Sequence, residues 1–400
     1  MGNSILTPTA VTRKAAMILH QKLNFVKNID RQYDKSFAVD GAKIGDSLKI
    51  RLPNEYTVRT GLPMSVQDVT EVSTTLTVAT VKGVDLNFTS SELLLSIDDF
   101  SERILDPAMT TLAANIEADA INMYKEVYNV YDGDAAAFSF TSVANGRQRL
   151  TENLAPSDSN RHVLLTPDHA TKYMIDTKGL FHSQSQISEQ YREGMLGQAQ
   201  GFDFYENTLL TPHTTGTSPK ATTYTVNGAV TANGSVAVTV ATGTATFLAG
   251  DVFTVANCNR VHPETKVTTG VPQQFVVTAN YAGGAGSLTF TPAIYTSGGR
   301  QNVVAAGMAN GVAITKVAAG ANETMVQSLA FHKNAFAFVT ADLPLPDGRD
   351  WAKREVVDNI SIALIRDFTI ADRSYPCRLD VLYGYKAIRP QMAVRIHNDG

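Results

Sequence analysis

Cysteine is nearly absent from this chain. The two present in 400 residues, Cys258 and Cys377, stand far apart without metal-ligand spacing. Neither a disulfide framework nor a zinc site is therefore encoded, and both read as small buried hydrophobes in a reducing compartment. No continuous apolar run of about 20 residues occurs, which excludes a membrane-spanning helix. A leader is not recognisable either: residues 1–12 are polar, and Arg13 and Lys14 precede only a short apolar run. A soluble protein made in the cytoplasm is expected. Neither sign of charge is in excess, and a formal net charge of -4 offers no basic face for sequence-specific nucleic-acid binding.

Arrangements that carry catalysis are missing in the same way. The eight histidines include no i, i+4 pair, and His162 and His169 read as core or solvated residues. There is no Gly-x-Ser-x-Gly elbow, and neither cysteine has a histidine nearby in sequence. Gly283-Gly284-Ala285-Gly286 resembles a phosphate-cradling loop, but it runs into the strand pattern Leu288-Thr289-Phe290-Thr291. Phosphate cradling needs a following helix N-terminus, so a hairpin turn is expected. Asp98-Asp99 and Asp132/Asp134 fall at helix starts or glycine-containing turns, where acids cap exposed N–H groups. Asn-x-Ser/Thr at Asn87 and Asn233 has no meaning without a secretory route. No enzyme, cofactor or metal is expected.

What the chain does have is a sharp change of composition. Residues 213–325 are Thr, Val, Ala and Gly throughout, with about 8 charged residues in roughly 113 and half of the chain's 28 glycines. The flanks carry ordinary charge density and long amphipathic patterns, so a separate β module interrupts a discontinuous host. Thr7-Pro8 opens a helix marked by Val11, Ala15, Ile18, Leu19, Leu23 and Val26, which could dock on its own domain or on a neighbouring chain. From Ile44 the pattern is extended. Ser47–Leu52 and Thr74–Leu86 read as two strands, joined by about 20 polar residues with few large apolar ones. A connection of that length fits a hairpin that lies on another subunit.

Asp106-Pro107 starts a helix with one apolar face: Leu112, Ile116, Ala120, Met123, Val127 and Val130. Glu117, Asp119, Lys125 and Glu126 lie off that face. Roughly 22 residues would span about 33 Å. Next come a strand at His162–Leu165, a helix start at Thr166-Pro167-Asp168, a helix at Ser185–Glu193 and a strand at Phe202–Tyr205. Host-like sequence resumes at Ser328–Val339. Ile360, Ile362 and Leu364 alternate along one strand; Leu379, Val381, Tyr383 and Tyr385 alternate along another. The pair flanks Asp372-Arg373-Ser374 as an antiparallel hairpin, and a last strand covers Met392–Ile396.

In this order the parts resemble the major capsid (coat) proteins of tailed bacteriophages, nearest to those of short-tailed Salmonella-type phages with an inserted β-domain. The resemblance is carried by Gly201-Phe202-Asp203 with Leu209-Leu210, by Leu329–Phe336, and by Arg378–Gly384 with Arg389-Pro390. Within the insert it is carried by Ala249–Phe253 and Pro272–Val277. It implies an α+β capsid fold: an N-terminal arm at 1–40, an E-loop with flanking strands at 41–95 and a peripheral-domain spine helix at 96–134. The axial domain would begin at 135–212, be interrupted by a small β-barrel at 213–325, and be completed with the peripheral domain at 326–400.

The implied function is a structural subunit forming hexamers and pentamers of an icosahedral shell around double-stranded DNA, which it meets without sequence specificity. A scaffolding protein, a portal protein at one vertex and assembly in the host cytoplasm follow from the same resemblance. Candidate inter-subunit residues are Arg51, Glu55, Arg59, Asp68 and Glu71 on the E-loop, Arg13 and Lys14 on the arm, and Arg260, Glu264 and Lys266 on an insert loop. One departure is visible: the charged loop that such inserts can carry shrinks here, between Ala229 and Val236, to a turn at Asn233-Gly234. An encapsulating-compartment shell protein and a carbohydrate-binding β-module are the alternatives. The second would need exposed aromatics among Tyr224, Phe247, Phe253, Phe275, Tyr281, Phe290 and Tyr295, which stand mostly at strand positions. Because no lysine lies between Pro53 and Val81, and Lys49 and Lys82 only flank that span, no lysine cross-link between subunits is expected.

Overall fold

The computed structural model describes residues 8–34, 47–64, 66–67, 71–88, 101–133, 136–178, 197–241, 243–346, 351–368 and 375–398. Asp68, the helix expected at Ser185–Glu193, and the Asp98-Asp99 and Asp372-Arg373-Ser374 segments lie outside the described residues. The chain forms two compact units, both discontinuous: 1–50, 73–121 and 336–388 in the first, 51–72, 122–335 and 389–400 in the second.

In the first unit a six-stranded sheet runs in the order Asp30–Asp34, Phe336–Ala341, Tyr375–Ala387, Ile360–Arg366, Trp351–Val357, with Thr80–Phe88 also paired to Tyr375–Ala387. The expected antiparallel pairing of Ile360–Arg366 with Tyr375–Ala387 is present (Ala363 opposite Asp380). The N-terminal helix Pro8–Lys22 packs on the second helix of this unit and on two of its strands. Val11, Ala15, Ile18, Leu19, Leu23 and Val26 are all buried. Of the two dockings open to this helix, the chain uses its own unit.

Two expectations need correction here. The helix expected over roughly 22 residues from Asp106 is a shorter α-helix, Asp106–Ile121, preceded by a π-helical turn Ser101–Leu105 and followed by a 3-10 turn Asn122–Glu126. Leu112, Ile116, Ala120, Met123, Val127 and Val130 are buried as expected, but so is Glu117. Its carboxylate accepts the backbone N–H groups of Asn24 (2.7 Å) and Phe25 (2.8 Å), so a buried charge holds the segment between the N-terminal helix and the 3-10 turn Val26–Asn28.

The strand expected over Thr74–Leu86 is two strands, Val72–Thr77 and Thr80–Phe88, with different partners. The first pairs with Ser47–Leu52, the second with Tyr375–Ala387. Leu76 and Val78 face the core with Val339 and Leu382, and the inward–outward alternation runs unbroken through the change of partner. A period-two pattern reports which face is buried, not which strand lies alongside.

The second unit holds another six-stranded sheet: Val130–Asp132, Ala393–His397, Gln327–His332, Arg161–Leu165, Phe202–Glu206, Gln198–Ala199. Gln327–His332 and Arg161–Leu165 are buried along their whole length, which explains their continuous apolar stretches. Val163, Leu165, Tyr173, Phe202, Ala330 and Ile396 form the core with helices Phe140–Glu152 and Pro167–Thr177. The Thr166 hydroxyl caps the latter by accepting His169 N–H at 3.4 Å. The former helix is missing from the sequence-based expectations.

The compositional block becomes a closed barrel of Thr222–Val226, Ser235–Ala241, Gly286–Ile294, Thr268–Val277, Val252–Val261 and Ala313–Lys316, in that spatial order. Phe247, Phe253, Phe275, Phe290 and Tyr224 fill it, with Phe275 and Phe290 edge to face at 5.0 Å. These rings are committed to packing. The glycine run at 283–286 is the link between strands Thr268–Val277 and Gly286–Ile294.

Candidate functional site

Chemistry of the reactive side chains points inward. Burial pushes the thiols of Cys258 and Cys377 up to about 12 and the His169 imidazole down to about 4, leaving thiols that do not ionise near neutrality. His162 and His169 are buried core residues. His332 Nε2 is 3.1 Å from Asp158 and His213 Nε2 is 2.8 Å from Asp251. Among the described residues no group of three or more His, Cys, Asp or Glu is placed to hold a metal, and no helix is long and apolar enough to cross a membrane. Several charged and apolar segments are exposed.

The most exposed of these is the connection after Ser47–Leu52. Tyr56, Val58, Leu62, Met64 and Val66 show 54, 92, 95, 82 and 77% of their surface. The expectation of few large apolar residues here is wrong. The signal was legible as Tyr56, Val58, Leu62, Met64 and Val66 alternating with Thr57, Arg59, Pro63, Ser65 and Gln67. Gln67 holds the loop together: its side-chain oxygen accepts Thr57 N–H at 2.9 Å, and its amide donates to the Thr57 carbonyl at 2.6 Å. Arg51 and Glu71 pair at 3.4 Å across the loop base. The Arg59 guanidinium donates to the Gly61 carbonyl.

Arg13 and Lys14 lie on the exposed face of Pro8–Lys22. The insert cluster divides. Arg260 donates to Glu152 at 2.6 Å and to Asn153 at 3.2 Å, and Lys266 sits 4.0 Å from Glu55, whereas Glu264 is exposed. The structure thus brings Glu55 and Lys266 together and turns Arg260 toward its own subunit.

The base of the barrel is tied to the rest of its unit. Strands His213–Thr214 and Thr324–Met325 pair where the chain enters and leaves the insert. Asp251 is 2% exposed and accepts from His213, Gly216 N–H (3.0 Å) and Leu248 N–H (2.9 Å). Burial alone would raise its carboxyl; these donors outweigh it and hold the group below the ordinary carboxylate range. Gln274 exchanges two hydrogen bonds with the backbone of Val130 (2.8 and 3.0 Å), acting as a strand neighbour. Arg395, buried on the last strand, donates to the Gly250 carbonyl at 2.9 Å, and burial lowers its guanidinium to about 10.

Sequence motifs fall at the crossings between units. Leu329–Phe336 spans the passage from Gln327–His332 through the turn Lys333–Ala335 into Phe336–Ala341. Arg389-Pro390 leads from Tyr375–Ala387 to Ala393–His397, and Arg389 N–H binds the Ala335 carbonyl at 3.0 Å. In Tyr375–Ala387, Gly384 faces the Thr77 carbonyl, which a Cβ would approach to 2.3 Å.

The chain is a discontinuous α+β subunit with an inserted closed barrel and an exposed apolar loop. The family model described as P22 coat protein, gene protein 5, matches residues 18–396, and the chain belongs to that family. It is a major capsid protein, a bacteriophage coat protein that self-assembles into the icosahedral shell of the virion. Among solved structures it is similar to one from Mycobacterium phage Che8, at 12% identity over 93% of this chain and 90% of that chain, with a TM-score of 0.46. It is also similar to the virus-like particle from Pyrococcus furiosus, at 7% identity over 97% and 98% of the two chains, TM-score 0.40. The CUS-3 coat protein I-domain aligns at 29% identity over 24% of this chain and 96% of that chain, TM-score 0.19. No curated protein matches the chain.

Proposed function

We propose that the shell is built of hexamers and pentamers in which the loop around 53–72 serves as the E-loop and lays its apolar tip on a neighbouring copy. The observation that carries this reading is the exposure of Val58, Leu62, Met64 and Val66 on one loop. Side chains of this kind stabilise nothing in solution, and each contributes about 1.5–3 kcal/mol once covered. Distributed over many repeats, such contacts suit a shell.

In the same reading the N-terminal helix is the arm, Asp106–Ile121 the spine of the peripheral domain, the Gln327–His332 sheet the axial domain, and 213–325 an inserted domain of the Salmonella-type coat branch. Arg13, Lys14, Arg51, Arg59, Asp68, Glu71 and Glu264 remain the charged inter-subunit candidates. Arg260, Glu55 and Lys266 act within the subunit. A scaffolding protein directs assembly in the host cytoplasm, a portal protein occupies one vertex, and packaged double-stranded DNA meets the mildly acidic subunit without sequence-specific contact.

The test is the double variant Leu62→Asp, Met64→Asp, expressed with the scaffolding protein. Electron microscopy and sedimentation should show folded, unassembled subunits where the unaltered chain gives shells. Normal shells from the variant would sink the assignment of the tip.

A further inference from the structure

We propose that the inserted barrel is the seat that fixes the direction in which the apolar loop leaves the subunit, with Gly299 and Lys266 as the positioning residues. The inference rests on the loop being the inter-subunit contact, and it adds what aims that contact. The root and the tip of the loop differ sharply. At the root, a Cβ on Gly299 would lie 2.2 Å from the Glu55 carbonyl oxygen, 2.8 Å from its carbon and 3.2 Å from Tyr56 N. Backbone therefore rests directly on backbone, a contact that only glycine permits.

Beside it the Lys266 ammonium, 13% exposed as a side chain, donates to the carbonyls of Gly299 and Gln301 and faces the Glu55 carboxylate at 4.0 Å. A cation withdrawn from water to this degree needs a compensating charge, and the loop root supplies it. Burial lowers the Lys266 amine and Glu55 counteracts part of that effect. From Val58 outward the loop touches little: Val58 and Leu62 are 92 and 95% exposed.

A loop held at its root and bare at its tip transmits the attitude of its seat. Seven residues from Glu55 to Leu62 reach at most about 23 Å, so an error of about 10° at the seat displaces the tip by about 4 Å. That is a full van der Waals contact distance, enough to forfeit an interface. The barrel thereby acts on assembly through the loop as well as on the stability of its own unit.

The seat is tested on the unassembled full chain with a water-soluble carbodiimide, which activates the Glu55 carboxylate for attack by the Lys266 amine and leaves an amide readable by mass spectrometry. The unaltered chain should give the Glu55–Lys266 cross-linked peptide. Gly299→Ala should lose it and be cut faster by trypsin after Arg59, with barrel unfolding preserved. Lys266→Met, which leaves Gly299 untouched, should show the same faster cleavage. Retention of the cross-link in Gly299→Ala, or unchanged cleavage in both variants, would overturn the proposal. Because these readings precede assembly, they separate from the tip assignment: Leu62→Asp, Met64→Asp should keep the cross-link and lose only the shells.

Discussion

Two buried carboxylates show how single residues set this fold. Glu117 stands on the apolar side of a helix, where a charge is ordinarily excluded, because the backbone N–H groups of Asn24 and Phe25, which lead into the 3-10 turn Val26–Asn28, need an acceptor. Glu117→Gln keeps the shape but turns an NH2 group toward one of those donors. A bond to a charged acceptor contributes about 1.5–3 kcal/mol, and a loss in that range should appear in urea unfolding, larger than for the exposed Glu264→Gln. Asp251 makes a pH prediction. Its folded-state pKa lies below the unfolded value of about 3.9. Its stabilisation is therefore fully present above that value and lost as pH falls through the folded one. Asp251→Asn should destabilise the barrel base at neutral pH and shrink the difference from the unaltered chain on acidification, as followed by acid titration of tryptophan-independent far-UV circular dichroism. If the difference grows toward low pH, the sign of the linkage is wrong. Neither role was legible in sequence, since the acceptor's identity depends on a donor 92 residues away for Glu117 and Phe25.

At the scale of elements, periodicity located faces well and partners poorly. The apolar stripes of the two helices in the first unit are realised, and Ile360, Ile362, Leu364, Leu379, Val381 and Tyr383 are buried as expected. The alternation itself is not kept: Ser361, Ala363, Leu382 and Gly384 between them are buried too, and Tyr385 is only half-buried. The break at Val78 was invisible because the alternation never falters there. The helix Phe140–Glu152 escaped notice for a different reason: its buried positions include Ser142 and Gly146, which carry no apolar signal. The apolar loop tip departs from the usual polarity of long connections, with Val58, Leu62, Met64 and Val66 exposed. Gly384 joins these observations, since its missing side chain admits the Thr77 carbonyl next to the point where the chain changes partner. Gly384→Ala forces that backbone apart, and overpacking of this kind costs about 1–3 kcal/mol. Denaturant unfolding of the first unit should shift accordingly, and an unshifted midpoint would mean the approach is loose in solution.

For the whole molecule, the question is which part can stand without the other. The insert begins and ends on one strand pair, Thr214 opposite Thr324, and encloses its own aromatic core. Its excision therefore leaves two chain ends about 5 Å apart and needs no unfolding of the barrel. Expressed alone, 213–325 should fold cooperatively, because the closed sheet has no open edge and most of its contacts are internal. The host is not symmetric in this respect. Without the barrel, Tyr128 and Val130 lose the cover of Val252, Val276 and Ala319. Val130 also loses the Gln274 amide, and the Arg395 guanidinium loses the Gly250 carbonyl. A buried cation stripped of its acceptor costs several kcal/mol, a large fraction of a typical domain's total stability. A chain with 217–321 replaced by a short Gly-Ser turn should accumulate as aggregate, and Arg395→Met in that background should recover part of the soluble fraction. Soluble, assembling host without the insert would show that the barrel serves only its outer surface. Shells made by the full chain should run on a denaturing gel as a single monomer band, since the loop offers no lysine for a covalent link.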